Sequence, residues 1–198
     1  MTAHTAIVMR SGDVLRRARG VGMEADGEVT THYEATGEGD PVVVIGGDDR
    51  PARFDLLRDW FRLVTPDRRD LDAPAAADFI TALGFGPVRV LGWGGGAQTA
   101  LNLALRRPDL VAQVAVVGPL PACGDLPCRT RLAELAALPM PLLVLQGDAD
   151  ALDVAHAAAL ARMAPGGRLA VVPGPSRALV AVKPELVDLL LLDFFQSV

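Results

Sequence analysis

The stretch "VRVLGWGGGAQTALNLALRRPDLV", Val88 to Val111, decides how this chain folds. Its opening "VRVLGW" is a short apolar run of the kind that forms a buried strand. "GAQTALNLALRR" then places apolar residues at helical spacing and stops ahead of Pro108, where a helix ends. Between the two lies a glycine string, Gly94 to Gly96, which lets the chain turn within a few residues. Strand, tight turn and helix in direct succession are the unit of a sheet with crossover helices.

The same alternation runs outward in both directions. "VLRRARGVGME" (Val14–Glu24) and "GEVTTHYEATG" (Gly27–Gly37) read as two antiparallel strands around an Asp26-Gly27 turn. "PVVVIGG" (Pro41–Gly47), "RLVTPD" (Arg62–Asp67), "VRVLGW", "VAQVAVVG" (Val111–Gly118), "PLLVLQG" (Pro141–Gly147) and "RLAVVPG" (Arg168–Gly174) read as six further strands, buried on both faces. Helices are expected over Pro51–Phe61, Ala73–Gly84, Gly96–Arg107, Arg129–Leu138, Asp153–Ala164 and Lys183–Gln196. The fold class that follows is α/β: an eight-stranded, mostly parallel sheet with helices on both faces, in a single domain over residues 1–198.

Bulk properties narrow the function. A net charge of −5 offers no basic footprint for nucleic acid or an anionic membrane. Half the residues are apolar (51%) and only 5% are aromatic, so the core rests on Leu, Val and Ala. Cys123 and Cys128 are too few for a disulfide framework, and their spacing, with no histidine nearby, gives little support for zinc. Reduced thiols are expected, with a local disulfide as the other reading. The N-terminus has no signal-peptide pattern, and the apolar run Leu189–Leu192 is far too short to span a bilayer. A cytoplasmic protein is expected.

From about Glu28 onward the chain resembles the α/β-hydrolase family, because four signals fall in that family's order. "VVVIGGDD" stands where the family keeps its oxyanion loop. "LGWGGGAQTALNLALRRPDLV" stands at its nucleophile elbow. "PLLVLQGDAD" matches the strand that delivers the acid, and "LAVVPGPSR…KPELVDLLLLDFF" the segment that delivers the histidine. The departures are as informative. The family's G-x-S-x-G falls on Gly92 to Gly96, which puts Gly94 at the nucleophile. The acid falls on Asp150. The histidine falls on Arg177 or within a residue or two of it, and no histidine follows His156. The His-Gly of the oxyanion loop reads Gly46-Gly47. "PDRRDLDAP" (Pro66–Pro74) replaces a glycine-rich segment, and the link between "VAVVGP" and "PLLVLQG" is too short for a lid domain.

Glycine has no nucleophile, and arginine stays protonated and offers donors only. Ser-His-Asp hydrolysis is therefore not expected. The resemblance implies a lidless cleft at the carboxyl ends of the strands. It would gather Gly47, Asp48, Asp49, Trp93, Gly94, Gly95, Asp150, Ser176 and Arg177. Asp150, Arg177 and Asp49 are the candidates for chemistry, and the rest for substrate binding. Arg177 and Asp150 are expected to form an ion pair, which either steers the cation to a ligand or is purely structural. Asp48 and Asp49 either carry an acid/base carboxylate or favour a helix start. Trp93 walls the pocket or packs in the core, and Ser176 is a hydrogen-bond donor.

His156 sits among alanines and is expected to be a surface or packing residue, and His32 and Tyr33 carry no motif. Asp148 with Asp150 is thin support for a metal, and none is expected. The string Gly92, Gly94, Ala97 also fits the dinucleotide fingerprint, but no acid follows the next strand before Asp125, so no cofactor is expected.

Two function classes remain. One is a non-hydrolytic, cofactor-free cyclase, isomerase or lyase acting on a small carbonyl-bearing metabolite, by analogy in bacterial natural-product biosynthesis. The other is an inactive binding module for a ligand or partner. An open cleft would be exposed, or covered by a second copy or a protein partner. Nucleic-acid and membrane partners are not expected.

Overall fold

The structure is a computed structural model that describes residues 7–8, 16–18, 23–24, 27–28, 32–46, 54–67, 71–118, 134–150 and 153–197. Its strands are β1 (Ile7–Val8), β2 (Arg16–Ala18), β3 (Met23–Glu24), β4 (Gly27–Glu28), β5 (His32–Thr36), β6 (Pro41–Gly46), β7 (Arg62–Pro66), β8 (Val88–Trp93), β9 (Val111–Val117), β10 (Leu142–Gly147) and β11 (Gly167–Val172). The helices are α1 (Asp55–Arg58), α2 (Ala73–Leu83), α3 (Gly96–Arg106), α4 (Val154–Met163), α5 (Ser176–Val182) and α6 (Pro184–Gln196). A 3-10 turn, Pro108–Leu110, joins α3 to β9.

The main sheet runs β1-β2-β5-β7-β6-β8-β9-β10-β11. From β7 to β11 all pairs are parallel, and β1, β2 and β5 add antiparallel pairs at one edge. All six expected parallel strands are present. Among the described residues the main sheet has nine strands where eight were expected. Ile7–Val8, a pair too short to show a period, adds an edge strand against Arg17 and Ala18. The expected early hairpin is split: β3 and β4 close the turn as a separate two-stranded ribbon, while β2 pairs with β5 in the main sheet.

The sheet is buried on both faces because its strands alternate between two apolar layers. Val43 and Ile45 of β6 face α2, α3 and α4, packing with Phe79, Ile80, Leu103 and Leu160. Val42 and Val44 face α1, α5 and α6, packing with Leu57, Leu179, Leu191 and Phe195. Burial of each such side chain contributes about 1.5–3 kcal/mol. α2 begins with Asp72 accepting from Ala75 N (2.9 Å) and ends at Gly84, whose φ of 66° is left-handed.

Two expected helices come out differently. Of Pro51–Phe61, only the turn Asp55–Arg58 is helical among the described residues, and Trp60 leaves it for solvent. Most of Arg129–Leu138 lies outside the described residues, as do both cysteines. α5 was not expected. It follows a proline and is only seven residues long, too short to show a helical period.

Short α1 has no cap of its own. Asp188, from the middle of α6, supplies one: its Oδ2 accepts from Leu56 N at 2.8 Å. Asp188 is 1% exposed, and its Oδ1 has no partner. Burial pushes this carboxyl up to about 6 from 3.8, against the lowering effect of the backbone donors at Leu56 and Leu57, with Asp55 raising it further. A carboxyl with a raised folded pKa keeps its proton better in the folded chain. The associated stabilisation is full below about 3.8 and is lost as pH rises through about 6. Unfolding free energy is therefore expected to fall by on the order of 2–3 kcal/mol across that window from this group. Asp188→Asn should remove this component, so that urea melts at about pH 5 and about pH 8 differ less for the variant than for the parent.

Candidate functional site at the carboxyl edge of the sheet

After β6 the chain first adds β7 on one side, then crosses to add β8 on the other. Such a reversal opens a crevice at the carboxyl ends of the two inner strands. Gly46 and Trp93, the last residues of β6 and β8, are register partners there.

The turn after β8 works because three positions lack side chains. Gly94 has φ 56°, in the left-handed region. Its N–H donates to Val117 O (2.9 Å), and its carbonyl accepts from Ala97 N (3.2 Å). A Cβ on Gly92 would strike Ala100 Cβ and Gly96 O, and one on Gly96 would strike the Ile45 carbonyl. The helix thus starts in direct contact with two strands. Gly95 is its N-cap, without a side-chain cap, and its amide has no acceptor among the described residues.

Opposite the turn, a carboxylate is closed by its own chain. Asp150 follows β10. Its Oδ1 accepts from Ser176 N (2.8 Å), while Oδ2 accepts from Gln146 Nε2 (2.7 Å) and from the Ser176 hydroxyl. Ser176 Oγ in turn accepts from Gly147 N at 2.6 Å. Ser176 and Gln146 are buried, at 2% and 3% exposure. Gly147 must be glycine, since a Cβ there would meet Gly174 O and Ser176 N. The neighbouring Asp148 accepts from Gly174 N (2.7 Å), which ties the same loop down a second time. Among the described residues no group of three or more metal-type ligands gathers.

The turn and this network share one wall. A Cβ placed on Gly118, at the end of β9, would lie 3.5 Å from Gly94 Cα and 3.9 Å from Ser176 Cβ. The residues expected from the sequence therefore divide. Trp93, Gly94 and Gly95 form the turn, and Asp150 and Ser176 form the closed pair beside it. Gly47, Asp48 and Asp49 lie outside the described residues. Arg177 is the second residue of α5, but its side chain lies outside the described residues, so its expected pairing with Asp150 falls there too. The partner that the structure gives Asp150 is Ser176. Sequence reasoning missed Gln146, Gly147 and Gly118. A polar residue ending the apolar run "LLVLQG" was the available signal for Gln146.

No protein-family model matches the sequence, and no curated protein matches it. Solved structures do resemble it. A CIB-like hydrolase from Thermoplasma acidophilum superposes with a TM-score of 0.73 at 15% identity, over 98% of this chain and 100% of that one. An α/β-hydrolase enzyme from a sediment metagenome of the Mar Chica lagoon, Morocco, gives 0.70 at 18% identity, over 93% and 98%. The chain has the α/β-hydrolase fold. A thermophilic esterase from Thermogutta terrifontis shares that fold with a TM-score of 0.70 at 18% identity, over 91% of this chain and 98% of that one. Within the α/β-hydrolase fold, Gly94 sits at a strand-to-helix corner of the kind that presents a nucleophile.

The Ser176 hydroxyl donates a hydrogen bond to Asp150 and accepts one from Gly147 N–H, so it acts as a clasp between β10 and α5. Ser176→Ala leaves a buried amide without an acceptor and removes a donor from Asp150. It should lower the unfolding free energy by about 1–3 kcal/mol, read as an earlier denaturant midpoint at unchanged slope.

Proposed function

We propose that this chain is a non-hydrolytic, cofactor-free enzyme of cyclase, isomerase or lyase type that acts on a small carbonyl-bearing metabolite in the hydrolase-fold cleft. The observation that carries the reading is the corner itself: the geometry for presenting a nucleophile is kept at φ 56°, and the residue there is glycine. The solved structures it resembles are mostly hydrolases, which supports a catalytic ancestry for the cleft.

In this reading the carbonyl oxygen sits over the turn. The Gly95 amide and the first turn of α3 stabilise negative charge as it develops on that oxygen. A carboxylate takes a proton from the carbon next to the carbonyl, and the resulting enolate is either reprotonated at another position or attacks a second carbonyl carbon of the same molecule, whose oxygen takes the proton back from the carboxyl group. Asp49 is the better candidate for that base, because Asp150 already accepts three hydrogen bonds. Asp150 positions α5, and Arg177 holds an anionic or carbonyl group of the substrate. A second copy or another protein closes the lidless side, and a bacterial biosynthetic pathway supplies the substrate. No helix among the described residues is long and apolar enough to cross a membrane.

The closed state of Asp150 also favours a second reading, a binding module without turnover. Native mass spectrometry with metabolites of neighbouring pathways, followed by chromatographic separation of the released ligand from its isomers, separates the two. An enzyme returns a rearranged product, and a binding module returns its ligand unchanged. Under both readings the unmodified chain should hydrolyse p-nitrophenyl acetate no faster than buffer. Gly94→Ser should not change this, because the side chain facing Asp150 is a hydroxyl and not an imidazole. Ester turnover well above buffer by the unmodified chain would refute both.

A further inference from the structure

The two margins of the main sheet are built differently. At one, β1 is two residues long. At the other, β11 runs six residues, Gly167–Val172, in unbroken parallel register with β10. Protein sheets ordinarily blunt an exposed margin with a short strand, a proline, a bulge or a standing charge. β11 has neither proline nor bulge, and its charged residue, Arg168, is laid over the Phe194 ring at 5.7 Å. Val171 is 44% exposed.

Alternation decides which backbone groups face outward. The carbonyls of Gly166 and Val172 accept from Leu142 N (3.2 Å) and Asp148 N (3.1 Å), on the β10 side. In a parallel pair every second residue turns its N–H and C=O toward the same neighbour, so Arg168 and Ala170 do likewise. Gly167, Leu169 and Val171 therefore point away from the sheet. The chain itself closes both ends of this row. Gly167 N donates to Ala164 O (2.9 Å), and the carbonyl of Pro173 accepts from Lys183 Nζ (2.6 Å). Among the described residues the N–H and C=O of Leu169 and of Val171 have no partner.

We propose that β11 pairs antiparallel with β11 of a second copy of this chain, about a two-fold axis at Ala170. In that register Leu169 faces Val171 of the second copy, and each such pair exchanges two hydrogen bonds. Every open donor on the margin then meets an open acceptor. Leu169 packs on the α4 side of the sheet, and alternation puts Val171 on that side too, so the pairs are apolar on apolar. Small Ala170 meets its own copy on the other face. Charge favours a second copy as the occupant, because antiparallel pairing sets the amino end of one β11 against the carboxyl end of the other. Arg162 and Arg168 stand at the amino end. Asp148, which accepts from Gly174 N, and Asp153, the N-cap of α4, stand at the carboxyl end. Opposite charges are thus brought together twice. The contact lies three strands from β8 and is independent of the cleft and its closure.

Sedimentation velocity over a concentration series, combined with amide hydrogen exchange, tests this. The 20.8 kDa chain should sediment at twice its mass at micromolar concentration and dissociate on dilution or in raised salt. The amides of Leu169 and Val171 should exchange more slowly in the dimer than in the dilute monomer. Leu169→Pro removes an outward donor and spares the β10 ladder. It should raise the dimer Kd about thirtyfold, as for loss of one hydrogen bond from each copy. Val171→Lys puts a charge on the margin and should leave a monomer at the same concentrations. Val182→Lys, at a position 70% exposed at the end of α5, should dimerise like the parent. A parent chain that stays monomeric up to about 1 mM would overturn the proposal. A dimer that survives Val171→Lys, or one whose Leu169 and Val171 amides exchange as freely as the monomer's, would overturn the strand pairing. Protection of those amides in a monomer would overturn it as well, because the margin is then covered within the chain. The exchange measurement on the parent stands whether or not either strand variant folds.

Discussion

The structure depends on how closely α3 can approach the strands beneath it. Contact between its first turn and the backbone of Ile45 and Gly46 is possible because Gly92 and Gly96 carry no side chain, and the corner between β8 and α3 closes because Gly94 accepts a left-handed φ. Dispersion at that contact falls off steeply with distance, so even one methyl group would lift the helix off the sheet. The consequences reach beyond packing. That contact sets where the first turn of α3 begins, directly against the ends of β6 and β8.

A second theme is the use of distant carboxylates to hold short helices. α1 and α5 are too short to be stable by themselves, given the cost of nucleating a helix. Each is capped from elsewhere: α1 by Asp188 of α6, and α5 by Asp150 after β10. The two caps differ in kind. Asp150 is surrounded by donors from Ser176 and Gln146, whereas Asp188 keeps one oxygen unsatisfied in an apolar layer. Polar groups sealed without partners are costly, and the weakened acidity of Asp188, raised to about 6 by burial, is the expression of that cost. At the opposite end of the sheet Arg89 and Gln113 fasten the last turn of α6, through the carbonyls of Phe195 (3.2 Å) and Phe194 (3.0 Å).

The parallel half of the sheet was legible because strands such as "PVVVIGG" and "VAQVAVVG" are apolar without interruption and are punctuated by glycine. Long helices were legible for the same kind of reason: α2, α3, α4 and α6 each show several turns of periodicity. The short elements were not, since two residues at Ile7–Val8 or seven at Ser176–Val182 carry no readable period. At the site, the corner at Gly94 could be read from its glycines. The partner of Asp150 could not, because aligning motifs gives a register only to within a residue, and the geometry that puts Ser176 against the carboxylate depends on Gly147 and Gly174 approaching across two strands.

The strand order has a bearing on how the chain assembles. β6 lies between β7 and β8, both of which follow it in sequence. Both rims of this run of β-branched residues stand open until residues through Pro66 have left the ribosome, and the rim facing β8 until Trp93 has, while non-local parallel pairing of this sort forms slowly. Open rims of that composition are templates for association with other chains. The same central placement that builds the crevice therefore leaves β6 exposed to pairing with other chains during synthesis.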